Sequence, residues 1–172
     1  MLKKKFLLVL PLMTVLLSGC RKPNTAKISE ANLKSLGLAA LMYSQDYDER
    51  FPDMSTPETI KATLVPYLEG DKYVDNPAPK NSAVEALALK TFINPSTGRP
   101  FQSNTALGWV YNKDIANPAS TILFYEDAPY DDGTRGFVYA NGYVDKVPES
   151  NWPVFFASHT TPVQNSTSPS GY

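Results

Sequence analysis

The sequence predicts an α+β domain: one long N-terminal helix packed on a small antiparallel sheet. Two patterns carry that expectation. Within residues 29–52, Leu33, Leu36, Ala40, Tyr43 and Tyr47 recur at alternating steps of three and four, the spacing of one face of an amphipathic helix. Further along, residues 120–125 form a run of branched and aromatic side chains with no breaker. Residues 137–140, the pair Asn141-Gly142 and residues 143–147 then read as a hairpin.

The elements follow in chain order. Ser29 is a helix N-cap candidate, and Phe51-Pro52 ends the long helix because a residue before proline is pushed out of helical geometry. Thr56-Pro57-Glu58 is a strong helix start. Ile60, Leu64, Tyr67 and Leu68 supply the apolar side of this short helix, with a kink or end near Pro66 and Gly70 as its stop. Ser82 and Glu85 form a capping box that opens another helix over residues 83–90. Residues 91–93 read as a brief strand, 94–98 as a turn, and 107–111 as an edge or approach strand. In the hairpin, Asn141-Gly142 suits a two-residue type I′ turn. Alternation places Val138 and Ala140 on one face of the sheet, and Phe137 and Tyr139 on the other. Residues 158–172 carry little to bury and are expected to be a disordered tail.

A chain of 172 residues allows one domain with a modest core, and 15 prolines predict short elements joined by turns. Lys3, Lys4 and Lys5 precede an apolar run over residues 6–17, too short to span a bilayer and suited to a signal-peptide core. Leu17-Ser18-Gly19-Cys20 closes it and resembles the lipobox of bacterial lipoproteins, in which the cysteine is lipidated and becomes the new N-terminus. An ordinary secreted protein with an incidental cysteine is the alternative, but a lone exported thiol has no disulfide partner. The expected organisation is a signal peptide at 1–19, a lipidated Cys20 with a tether to residue 28, a globular domain at 29–157 and a tail at 158–172. Removing residues 1–19 leaves 13 basic against 17 acidic residues, a net charge of −4. Such a balance has no electrostatic footprint for nucleic acid. The expected location is the bacterial cell envelope, anchored through acyl chains on Cys20 and facing the periplasm or the cell surface.

Little in the chain points to a reaction. His159 is the single histidine, beside the weak tail and without a following Asp or Glu, a poor place for a catalytic base. Glu126, Asp127, Asp131 and Asp132 flank a loop between two strands and are the candidate oxygen ligands for Ca²⁺, although their spacing is not that of an EF-hand. Asp46, Asp48 and Glu49 read as a solvated helix end. The aromatic residues of the C-terminal half, among them Trp109, Tyr125, Tyr139 and Trp152, read first as core and second as a recognition surface.

Several stretches taken together resemble a known family. Asn32-Leu33-Lys34-Ser35-Leu36-Gly37 and the following Met42-Tyr43, Asp46-Tyr47-Asp48 and Phe51-Pro52 are similar to the helix segment of bacterial type II secretion pseudopilin-like proteins. The match is closer to the prepilin-type group named for a His, nine residues, then Asp-Gly. Leu64-Val65-Pro66-Tyr67, the Pro118 to Leu123 stretch and the hairpin from Gly136 to Val144 resemble further segments of that group, in register. Asp131 stands where the group has its His, Asn141 replaces its Asp, and Asn94-Pro95-Ser96 replaces a usual Cys-Pro-Ser. The prepilin leader and its membrane-spanning helix half are replaced by the lipobox. The resemblance implies a pilin-like helix-on-sheet head, loss of the half that packs a filament interior, and, as in some pseudopilins, calcium in the strand loops. The expected function is a non-enzymatic, lipid-anchored accessory or binding component of secretion or envelope machinery. The alternative is a surface recognition lipoprotein that binds glycan or calcium.

Overall fold

The computed structural model describes residues 25–69 and 82–160. The signal peptide, Cys20 and most of the tether and tail therefore lie outside the described residues. Within them the fold is α+β: a long helix, α1 (Thr25–Asp46), lies on a four-stranded antiparallel sheet in the order β1-β2-β3-β4. The strands are β1 (Gln102–Ser103), β2 (Ile122–Tyr125), β3 (Thr134–Tyr139) and β4 (Val144–Pro148). Helices α2 (Pro57–Glu69) and α3 (Ser82–Thr91) precede the sheet, and α4 (Trp152–His159) follows it.

The helix stripe is buried as the periodicity demands, with Leu33, Leu36, Ala40 and Tyr43 in the main core beside Val138, Ala140, Leu123 and Phe124 of the sheet region. Burying side chains such as Leu33 and Leu36 is worth about 1.5–3 kcal/mol each. Gly37 lets the helix come close: a Cβ there would stand 2.7 Å from Val138 Cγ2. The stripe departs from expectation at both ends. Ser29 is not a cap but sits one turn inside α1, fully buried, because it finds a hydrogen-bond partner in the sheet layer. At the other end α1 stops at Asp46. Asp48 takes the left-handed conformation (φ 51°), and the Glu49 amide donates 2.7 Å back to the Ser44 carbonyl, a Schellman-type closure. Tyr47 consequently lies past the last turn, 52% exposed, with its ring stacked 4.2 Å from that of Tyr43.

Helix α2 begins at Pro57 with Thr56 Oγ1 accepting from the Thr59 amide, and buries Ile60, Leu64 and Tyr67. Pro66 is carried inside it rather than ending it. Tyr67 packs edge-on against Tyr43 and donates to Asp46 Oδ2, locking α2 to the end of α1. The brief strand expected at 91–93 is a single bridge, Ile93 to Pro100, around the predicted turn. The edge or approach strand expected at 107–111 does not form. A 3₁₀ turn, Thr105–Leu107, is followed by Trp109 in the left-handed region, and the edge of the sheet is Gln102–Ser103 instead. Leu107 is fully buried in the core.

The two faces of β3 divide as the alternation predicts. Val138 and Ala140 meet the α1 side, while Phe137 and Tyr139 join Ile122 and Trp152 in a second cluster. A register slip between Ile122 and Phe124 marks a bulge, and both Leu123 and Phe124 enter the α1-side core. The second cluster is covered by α4, whose Phe155 and Phe156 rings approach Phe137 and Tyr125 to 5.0 and 4.9 Å. Ser158 and His159, assigned to the tail from sequence, complete this helix. The hairpin turn also differs from expectation. Only Gly142 has positive φ (79°), and its amide donates to the Tyr139 carbonyl at 2.8 Å. The connection is thus a type I turn over Ala140 and Asn141 with a glycine bulge. The amides of Ala140 and Asn141 are held by the carbonyls of Thr121 and Pro118, which fix that conformation.

Candidate functional site

A buried polar network lies where the start of α1 meets the end of β2. Strand alternation carries past Tyr125, so Glu126 falls on the same face as Phe124, toward α1. Glu126 is fully buried. Ser29 Oγ donates to its Oε1, the Gly136 amide donates 2.8 Å to its Oε2, and Tyr130 Oη completes the set. Its backbone continues the ladder, with the amide donating to the Gly136 carbonyl at 3.0 Å. Gly136 permits this approach, since a Cβ there would come within 3.2 Å of Oε2 and 3.0 Å of Tyr130 Oη.

Burial raises the Glu126 carboxyl above its usual 4.5, and the neighbouring Asp127 charge adds to the rise, against the opposing pull of its hydrogen-bond donors. Burial and the bond to Glu126 likewise push the Tyr130 phenol up. The cations nearby are committed elsewhere. Arg135 forks onto Glu149 at 2.6 and 2.8 Å and gives Nη1 to the Glu126 backbone carbonyl, and its guanidinium lies 5.0 Å over the Trp152 ring. A groove of about 510 Å³ opens beside the network, lined by Lys27 and Glu30 of α1, Tyr130, Gly136, and Asp145 and Lys146 of β4.

The four carboxylates expected to hold calcium are not brought together. Glu126 is enclosed as described. Asp127 Oδ1 accepts from Asn94 Nδ2 and Thr97 Oγ1, both at 2.9 Å. Its Oδ2 has no aligned hydrogen-bond donor and meets Arg99 as an ion pair at 2.6 Å. Asp132 Oδ1 accepts from the amide and hydroxyl of Thr134, and its Oδ2 faces Lys146 at 3.2 Å. These bonds hold the exposed Asp132 carboxyl below its usual range. Asp131 is exposed. Among the described residues no group of three His, Cys, Asp or Glu side chains is arranged to hold a metal ion. Asp127 and Asp132 are instead engaged separately, Asp127 by Asn94, Thr97 and Arg99 and Asp132 by Thr134 and Lys146. Cys20 lies outside the described residues. His159 is the last residue of α4, its ring stacked 3.9 Å from Phe155 and its Nδ1 2.8 Å from the Phe155 carbonyl.

A second feature sits at the far end of α1. The segment after the helix runs antiparallel to the residues around Trp109, with the Phe51 amide donating to Val110 and the Asn112 amide to Glu49, at 2.9 and 2.7 Å. Asp48, Glu49 and Trp109 all have positive φ, and Trp109 is 57% exposed. Arg50 lies over the Tyr111 ring at 4.1 Å, with Lys113 5.0 Å from the same ring. Sequence reasoning placed Trp109 in a strand; the preceding Gly108 is the local mark of the bend, since a Cβ there would stand 3.2 Å from the Met54 amide nitrogen. Likewise Ser29 as a partner of Glu126 was missed, because a serine near a helix start reads first as a cap. No family model, curated protein or solved structure matches the chain.

Proposed function

We propose that this chain is a lipid-anchored protein of the bacterial envelope whose helix-on-sheet head, pseudopilin-like in layout, serves as a non-enzymatic accessory or binding component. The observation that carries the reading is Leu17-Ser18-Gly19-Cys20, which closes a charged and apolar leader five residues before α1 begins. Acyl chains on Cys20 supply membrane affinity that the head does not need to provide. No helix among the described residues is long and apolar enough to cross a membrane. The head then presents the α1 terminus remote from the anchor, with Tyr47 and Trp109 exposed, to a partner in the envelope. Aromatic side chains in such a position are the common anchors of protein interfaces.

Metabolic labelling with an alkyne fatty acid tests the anchor. The wild type becomes labelled and fractionates with membrane, and Cys20→Ser loses both properties; a labelled Cys20→Ser protein refutes the assignment. The same preparation tests the accessory role. Arg21, Lys22 and Lys27 follow the cysteine where a pilin carries apolar helix, and each unpaired ion buried in a filament core costs several kcal/mol. The soluble domain from Arg21 onward is therefore expected to remain monomeric or weakly dimeric at micromolar concentration by light scattering, and the lipidated chain to form no fibres. Regular fibres under negative stain overturn the reading.

A further inference from the structure

Glu126 is a fully buried carboxyl whose holders come from three separate parts of the chain. Ser29 belongs to the second turn of α1, 97 residues away; Tyr130 belongs to the β2–β3 loop; Gly136 belongs to β3. Ser29 and Tyr130 carry hydroxyls that can turn to accept as well as donate, so the network is satisfied when the carboxyl bears a proton. When it does not, a buried charge must be stabilised without a cation. The charged groups around it do not supply one. Asp127 repels it, Glu30 on α1 is of like charge, Arg135 is forked onto Glu149, Arg99 is taken by Asp127, and Lys146 by Asp132. Lys27 and Asp145 line the adjoining groove. That groove borders Tyr130 and Gly136, two of the three holders, so a small outward shift of the α1 start brings water to the carboxyl.

We propose that Glu126 is a proton-operated latch: protonated, it fastens the first two turns of α1 to the β2–β3 loop, and ionised, it slackens that end of the helix. The device acts on the helix end nearest Cys20, and it stands whether or not that cysteine carries lipid. Burial supports the assignment through the raised carboxyl. A folded-state value above the free one means the latch is fully made below the usual 4.5 and is lost as pH rises through the folded value. Within that window the closed state holds one more proton than the open state. The opening equilibrium therefore rises by up to about tenfold per pH unit and then levels off.

Hydrogen exchange of the full chain in detergent, corrected for intrinsic base catalysis and run from about pH 4.5 to about pH 8, reads this opening. In the wild type, protection over residues 25–33 falls by up to about tenfold per unit before its plateau, while the β3–β4 hairpin stays flat. Glu126→Gln mimics the protonated acid, since its amide oxygen accepts from Gly136 and its NH₂ donates to Ser29 or Tyr130; its helix start shows no slope. A flat wild-type profile, or a slope that survives in Glu126→Gln, overturns the latch. Should Glu126→Gln not fold, the ¹³C carboxyl resonance of Glu126 in the wild type decides: titration at or below 4.5 refutes the proposal. Ser29→Ala separates the latch from simple burial. It removes the slope over residues 25–33 and leaves the carboxyl titrating high; retention of the slope rejects Ser29 as the helix-side catch.

Discussion

Gly37→Ala probes the closest approach in the fold. In an exposed helix interior this exchange stabilises by about 0.5–1 kcal/mol, because alanine gives up less backbone freedom on folding. Here the new methyl would stand 2.7 Å from Val138 Cγ2, with the Gly142 Cα 3.5 Å away. Val138 is fully buried and stiff at χ1, so it cannot swing aside, and either α1 or β3 must shift. Overpacking of that kind costs about 1–3 kcal/mol. The expected net effect is a loss of up to about 2 kcal/mol, the propensity gain offsetting only part of the clash. A double-mutant cycle isolates the contact. In a Val138→Ala background the obstruction is gone, and Gly37→Ala should then stabilise by about 0.5–1 kcal/mol, giving a coupling of about 1–3 kcal/mol between the two sites. Urea unfolding followed by circular dichroism, with unchanged denaturant slope, supplies all four corners. Equal stabilisation by Gly37→Ala in both backgrounds would refute the claim that this glycine exists to seat the helix on the sheet.

Leu36→Ala removes a side chain only 1% exposed and should cost about 2–5 kcal/mol, against less than about 1 kcal/mol for Lys34→Ala, whose exposed amine donates to the Gly142 carbonyl at 2.7 Å. Similar thermal shifts for the two would mean that the buried face of α1 is misidentified. Trp109→Gly relieves a left-handed backbone (φ 63°), worth about 1–2 kcal/mol. The indole, however, is 57% exposed and so still buries about 100 Å², worth about 2.5 kcal/mol; chemical denaturation should show a net loss of about 1 kcal/mol. A gain of that size would instead show that the indole contributes nothing to the packing of the head.

Local chemistry carried the reading of the sequence furthest. The three-and-four spacing from Leu33 to Tyr43, the Thr56-Pro57 start of α2, the unbroken apolar run of β2 and the alternation across β3 are each written within a few adjacent residues. A helix turn or a strand pleat needs no distant partner to express such a period, so these elements and the α+β class follow from the chain alone. The division of Val138 and Ala140 from Phe137 and Tyr139 was equally visible, but not which pair would meet α1. That choice, the conversion of Ser29 from a cap to a buried donor, and the folding of residues 105–110 into a bend rather than a strand all depend on contacts made far apart in sequence. Glu126 shows the reason most directly. As part of a sequence it is one of four loop acids with oxygen to offer a cation; in the fold, Ser29 from 97 residues away and the Gly136 amide enclose it, while Asp127, Asp131 and Asp132 go separate ways. A carboxylate's role is set by its dielectric surroundings and by which donors reach it. Those are properties of tertiary packing, which the order of residues along this chain does not display.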